Sequence, residues 1–411
     1  MQLELLVERE TTWASSPSVA TLAVDLRTGT GIQRLLETAA TEGSTELPPI
    51  GVEVASQLIV SGYDNAKKQV ATGSSIPFLG TDVAGYTLRI FVQRTGRAVA
   101  LPGTLATSPE GPLLTVLGNR TLAVAATRAA AEPVLELYDL ATYQTLSTRF
   151  TLSRAPGSLL AQGNRVLLID ATHAEWLDTT TTTFEQPTLP GEALLGDLAG
   201  GRAWLNDAGE AILVGATRTH GAPTRQVLVV GPDTMRVATL SGARLNAGAT
   251  WVAGVGLVVC GGSAALAAIE LLAPNSSVAL PLATAPDASD ARACATLASG
   301  QVVVAGGKLS DGTPAPTWVF DPKCATNCVP TVWPSPGEAI ASPQMAAIGS
   351  RALLIGQGAS GNIISYELSA GGCTPVPLPT ARTTAALLVL PTGAIGVVGG
   401  ATIDQFVPNL D

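Results

Sequence analysis

Seven charged side chains recur at one place in a repeated pattern: Glu110, Arg154, Glu192, Arg244, Arg292, Glu338 and Arg382. Each stands in the segment leading toward an apolar run, and the signs nearly alternate. Guanidinium groups so placed could receive a carboxylate, a sugar or a peptide acid through paired N–H donors. Gathered round one opening, the seven could instead pair with one another and seal their carriers together, although exposed ion pairs contribute little individually. Other chemistry has few carriers. The two histidines, His173 and His220, lie in different segments with no neighbouring ligand set, which predicts solvated loop residues and no metal. Gly306-Gly307-Lys308 lacks the leading glycine and the Ser/Thr of a phosphate loop, and no Gly-x-Ser-x-Gly, His-Glu-x-x-His or EF-hand pattern occurs. The expectation is a protein without catalysis and without a cofactor.

Five cysteines are present, and Cys324 and Cys328 flank a tight Ala-Thr-Asn turn. A hairpin disulfide there requires an oxidising compartment, the alternative being two free thiols. Cys260 sits in an apolar run and reads as core, with Cys294 within reach of it one unit later; Cys373 falls in a turn.

The elements that position these groups follow from bulk and period. A chain of 411 residues exceeds one ordinary core. With 46% hydrophobic and 13% charged residues, its surface is neutral and rich in Thr, Ser, Ala and Gly rather than laced with ion pairs. A net charge of −9 with scattered arginines offers no footprint for nucleic acid. No apolar run is long enough to span a membrane. Gln2–Glu8 reads as a strand with no signal-peptide pattern, leaving either a cytosolic chain or one whose signal segment has been removed.

One segment type recurs, a turn residue followed by an apolar β-branched run that often closes on Gly-Gly. The copies are Asn119–Ala126, Asn164–Asp170, Glu210–Ala216, Leu257–Gly262, Gln301–Gly307, Ser350–Gly358 and Ala394–Gly400, starting 45, 46, 47, 44, 49 and 44 residues apart. A second strand follows each, ending in Asp or Pro turn chemistry, as in Leu135–Asp139 and Thr317–Pro322. Four short strands per unit of about 45 residues describe a propeller blade.

An apolar strand ending Gly-Gly, then an aromatic strand ending Asp-Pro, then Trp, resembles the kelch repeat. The fullest copy is Gln301–Trp333, with Gly306, Gly307, Trp318, Asp321, Pro322 and Trp333. The first, second, third and sixth copies lack the Gly pair, and the third and fourth lack the aromatic. The resemblance covers residues 98–411 and implies an all-β, seven-bladed kelch-like β-propeller over 97–411. The oxidase known among kelch propellers needs two His, two Tyr and a Cys on copper, which this chain does not offer. Ser310-Asp311-Gly312-Thr313 only superficially resembles a sialidase Asp-box.

The last unit stops at Asp411 without an outer strand. Ala98–Ala106 resembles the outer strands Ser277–Ala285 and Thr374–Ala381. Residues 98–103 are therefore predicted to complete the seventh blade and close the ring. Residues 1–96 fall outside the repeat; alternating apolar stretches predict five to seven strands of an immunoglobulin-like β-sandwich. Ile32–Ala40 suits either a short helix or a strand with a polar face.

A small sandwich before a low-charge kelch propeller resembles exported bacterial surface proteins or lipoproteins of myxobacteria-like organisms. That resemblance implies an extracytoplasmic, cell-envelope or secreted binding protein, held by a lipid anchor or free. The partner expected is a protein, or a glycan, met by the propeller loops and channel mouth. A carbohydrate-active or isomerase-type propeller enzyme, and a structural subunit of an envelope assembly, are the alternatives.

Overall fold

The computed structural model describes residues 2–409 except 8–11, 41–43, 48–49, 51–53, 84–85, 129–131, 263–267, 288, 290 and 325–328. From Arg97 onward the described strands form seven four-stranded antiparallel sheets, and these make a β-propeller. The recurring apolar runs are the second strand of each sheet, such as Thr121–Arg128, Gly256–Cys260, Val302–Ala305 and Ile395–Gly399. Side chains alternate between the faces of a strand, so a strand apolar throughout must be covered on both. Val302–Ala305 shows how. Val302 and Val304 pack with Val258 and Cys260 of the preceding sheet. Val303 and Ala305 pack with Ile340 and Leu354 of the next.

The first strands are innermost: Glu110–Leu117, Ser158–Gln162, Arg202–Leu205, Gly248–Val252, Ala293–Thr296, Ala341–Ile348 and Ala386–Val389. Each lies beside the next, and Ala386–Val389 lies beside Glu110–Leu117. The last sheet takes its outer strand from the front of the chain. Arg97–Ala100 pairs antiparallel with Thr402–Val407, Ala100 opposite Asp404 and Arg97 opposite Val407. The Leu101 amide then donates to the Ile403 carbonyl at 2.8 Å. The strand begins one residue before the predicted stretch and ends within it.

The Gly-Gly pairs serve close packing. At Gly307, φ is +79° and an added Cβ would stand 1.9 Å from the Ala291 carbonyl oxygen, in the segment leading into the same sheet. Gly262 meets the corresponding Ala247 in its own sheet, at 2.7 Å. Gly307→Ala therefore combines left-handed backbone strain with a backbone clash and is expected to lose about 3 kcal/mol. Gly312, with φ +85° but open space around it, supplies the control: alanine there should lose only about 1 kcal/mol. Urea unfolding of both variants measures the difference; equal losses would show that no neighbouring backbone constrains Gly307.

The front residues form a seven-stranded sheet. Its order is Gly31–Ala39, Thr21–Thr28, Ser56–Tyr63, Gln69–Ser74, Thr87–Arg94, Gln2–Val7 and Ser44–Glu46. The link between Gln69–Ser74 and Thr87–Arg94 spans only two residue pairs. Leu22, Val24, Leu58 and Val60 from one half share a core with Leu3, Leu5, Ile90 and Val92 from the other. The segment that suited either helix or strand is an edge strand, pairing with Thr21–Thr28 through Gly31 opposite Thr28. Phe91 and Leu6 of this sheet pack with Leu122 and Tyr138 of the first propeller sheet and with Leu390 and Val398 of the last. The front sheet thus lies over the seam where the ring closes. The buried Tyr143 hydroxyl accepts the Phe91 amide at 3.1 Å, and burial pushes its pKa up to about 12.

Candidate functional site

Antiparallel order places the start of each first strand, the end of the second and the start of the third at one end of the sheet. The predicted charged positions fall at this end, but they do not bond one another. Arg244 is wholly buried and donates to Glu270 Oε1 through Nε at 2.8 Å and Nη2 at 2.6 Å, and to the Gly261 carbonyl at 2.7 Å. Glu270, equally buried on the third strand, also accepts the Ser241 amide at 2.6 Å. Arg292 pairs with Asp287, donates to the Gly306 and Pro316 carbonyls at 3.0 and 2.9 Å, and lies 6.0 Å from the Trp318 ring. Arg382 pairs with buried Asp404 and donates to Thr402 Oγ1 at 3.2 Å. Burial raises the Asp404 carboxyl above its usual range, and the attraction of Arg382 only partly opposes this.

The remaining four are looser. Exposed Arg154 lies 3.9 Å from Asp170. Glu338 accepts the Ala359 amide at 3.2 Å and the Tyr366 hydroxyl at 3.3 Å. Glu110 and Glu192 are exposed. The expected ring of mutual ion pairs is thus corrected: each paired arginine is held by a carboxylate from its own sheet or the segment leading into it. A charge inside a packed sheet needs a partner within reach, and here the sheet or its own lead-in segment supplies it.

The acids that hold the arginines were not foreseen, though a signal existed. Glu136, Glu270 and Asp404 are carboxylates inside third strands, opposite Val124, Val259 and Val397, and Glu270 is the lone polar residue of Ala268–Leu272. In the first sheet Glu136 grips backbone instead of an arginine, accepting the Ala106 and Thr107 amides at 2.7 and 2.8 Å. The same position therefore anchors the lead-in segment in at least three sheets.

Arg202 was also missed. It opens the third innermost strand, and its Nη1 donates at 3.3 Å to the Pro343 carbonyl on the sixth. Burial pushes its pKa down to about 10.

Two long loops stand at the same end, and both are pinned. Lys308 bridges Pro314, and the Asp311 carboxylate accepts the Thr313 amide at 2.9 Å and hydroxyl at 2.6 Å. Those two bonds, the hydroxyl first, hold the Asp311 carboxyl below its usual range. In the other loop Arg218 donates to the Gly196 and Ala222 carbonyls, and Thr224 Oγ1 donates to Asp197 at 2.9 Å.

Among the described residues no group of three or more His, Cys, Asp or Glu side chains could hold a metal ion. His173 is exposed, its Nδ1 2.8 Å from Thr172 Oγ1. Cys260 and Cys294 are buried free thiols in contact, and burial together with that contact raises the Cys294 thiol well above its usual range. Cys324 is disulfide-bonded; Cys328, its expected partner, lies outside the described residues. No described helix is long and apolar enough to cross a membrane.

No family model matches the chain, and no curated protein matches it. Among solved structures it is similar to one described as "Crystal Structure of Mitotic Checkpoint Complex", at 14% identity and a TM-score of 0.48, over 77% of this chain and 96% of that one.

Proposed function

We propose that this chain is a non-catalytic scaffold, a seven-bladed kelch-type propeller behind a β-sandwich, that binds a protein partner outside the cytoplasm. The observation carrying this reading is that both long loops at the mouth end are pinned, Leu309–Pro316 by its own hydrogen bonds and Arg218–Thr224 by one within itself and two to Gly196 and Asp197. A pre-formed loop on a rigid scaffold loses little conformational entropy on binding, which favours recognition. The two loops differ in sequence, which suits an asymmetric protein surface. The acids and arginines that a propeller hydrolase or isomerase would use are engaged with each other instead, in the pairs around Glu270, Asp287 and Asp404. An oxidising compartment suits the disulfide at Cys324.

The test is affinity capture from the envelope fraction of the native host, using the full chain and two loop variants. Residues 309–313 are replaced by Gly/Ser in one variant, and Arg218 by Ala in the other. A protein retained by the parent chain and reduced at least tenfold with either variant is the expected result. Identical capture by all three chains, or recovery of the chain from the cytosolic fraction, would count against the proposal.

A further inference from the structure

We propose that the central channel carries a binding site for a small carboxylate, with Arg202 as its anchoring group. The inference is independent of the protein-binding reading, since it concerns the channel and not the loops. The innermost strands succeed one another as neighbours, and the seventh returns to the first. The third and sixth therefore face each other, and the hydrogen bond from Arg202 Nη1 to the Pro343 carbonyl spans the channel.

The described surroundings give this guanidinium no counter-charge. Among the described residues of the innermost strands the only other charged side chain is Glu110, exposed at the head of its strand. Among the described residues no carboxylate lies within ion-pair distance of Arg202, and burial alone accounts for the depression of its pKa. Three polar side chains of the innermost strands bond between neighbouring strands. Thr250 and Thr296 hydroxyls meet at 2.9 Å, and Gln344 Nε2 donates to the Ala385 carbonyl at 2.9 Å.

Arg202 is largely but not wholly buried, and its Nε and Nη2 are not among the buried polar atoms left without a partner. In the proposed site these donors face the ligand while the Pro343 carbonyl holds Nη1. A planar fork with two free parallel N–H vectors suits a carboxylate better than a spherical anion. Bound there, the anion would supply the charge that the sheets withhold. Arg154, Arg218, Arg244, Arg292 and Arg382 at this end already have theirs.

Thermal unfolding of the full chain, at constant pH and ionic strength, tests the site as sodium acetate replaces sodium chloride. The expected result is a saturable rise in the midpoint for the parent chain, absent in Arg202→Gln. Arg202→Lys keeps a cation but loses the fork, and its apparent affinity for acetate should fall about tenfold or more. The lysine variant also serves if the glutamine variant does not fold. The proposal is overturned if chloride and acetate act alike on the parent chain, or if acetate stabilises the lysine variant as strongly as the parent.

Discussion

Glu270→Gln should lower the unfolding free energy by about 3–5 kcal/mol, because it strips the counter-charge from an arginine with no access to water. Both side chains of the pair are fully buried, and the amide replacement keeps the shape and can still accept the Ser241 amide. What it removes is the negative charge facing Arg244. Replacing both residues by apolar ones of similar size, Arg244→Met with Glu270→Leu, should recover most of that loss. Apolar substitution of a buried pair is often neutral or favourable. It would not recover all of it, since the Ser241 amide then lacks an acceptor, a penalty of about 1–3 kcal/mol. Arg154→Ala, at an exposed pair, should change stability by about 0.5 kcal/mol or less. Urea unfolding of the four chains gives the comparison. A Glu270→Gln chain within about 1 kcal/mol of the parent would mean that water reaches Arg244 after all.

The same contrast explains what could be read without coordinates. The apolar second strands were legible because every position is covered by one neighbouring sheet or the other, so the period of four strands per unit survives degeneration of the Gly pairs. The mouth positions were legible as positions. Their partners were not, because Glu270 approaches Arg244 from two strands further on, and nothing local links them. Yet a single carboxylate within Ala-Ile-Glu-Leu-Leu is itself a statement that a cation or several amides must meet it. Arg202 escaped for a different reason. The third unit carries extra residues, including the helical turn Leu195–Leu198, so Glu192 occupied the expected place in the count while the innermost strand begins later. The front sheet was least legible. Its parallel pairing of Gln2–Val7 with Thr87–Arg94 joins segments at opposite ends of the region, and no turn signal between them announces it.

Closure of the ring supplies the second large effect. A chain beginning at Thr104 is expected to aggregate, whereas one beginning at Gly96 should remain soluble and unfold cooperatively. Both lack the front sheet, and both lose the contact of Phe91 with Tyr143, so their difference isolates residues 96–103: the strand Arg97–Ala100, Leu101 and the Pro102 carbonyl that accepts the Tyr138 hydroxyl at 2.6 Å. Without that strand the edge of Thr402–Val407 stands open, and its free N–H and C=O groups can pair with another chain. Ala98 also covers Phe406 and Ile355 in the core between the last two sheets. The ladder of four residue pairs, the Leu101 amide bond and the buried Leu101 side chain together contribute about 5 kcal/mol or more, comparable with the net stability of many domains. The lead-in segment held by Glu136 is present in both chains, which removes a second explanation. Sedimentation velocity and circular dichroism on the two chains decide the matter. If the shorter one is monomeric and melts at the parent temperature, the ring does not depend on its borrowed strand.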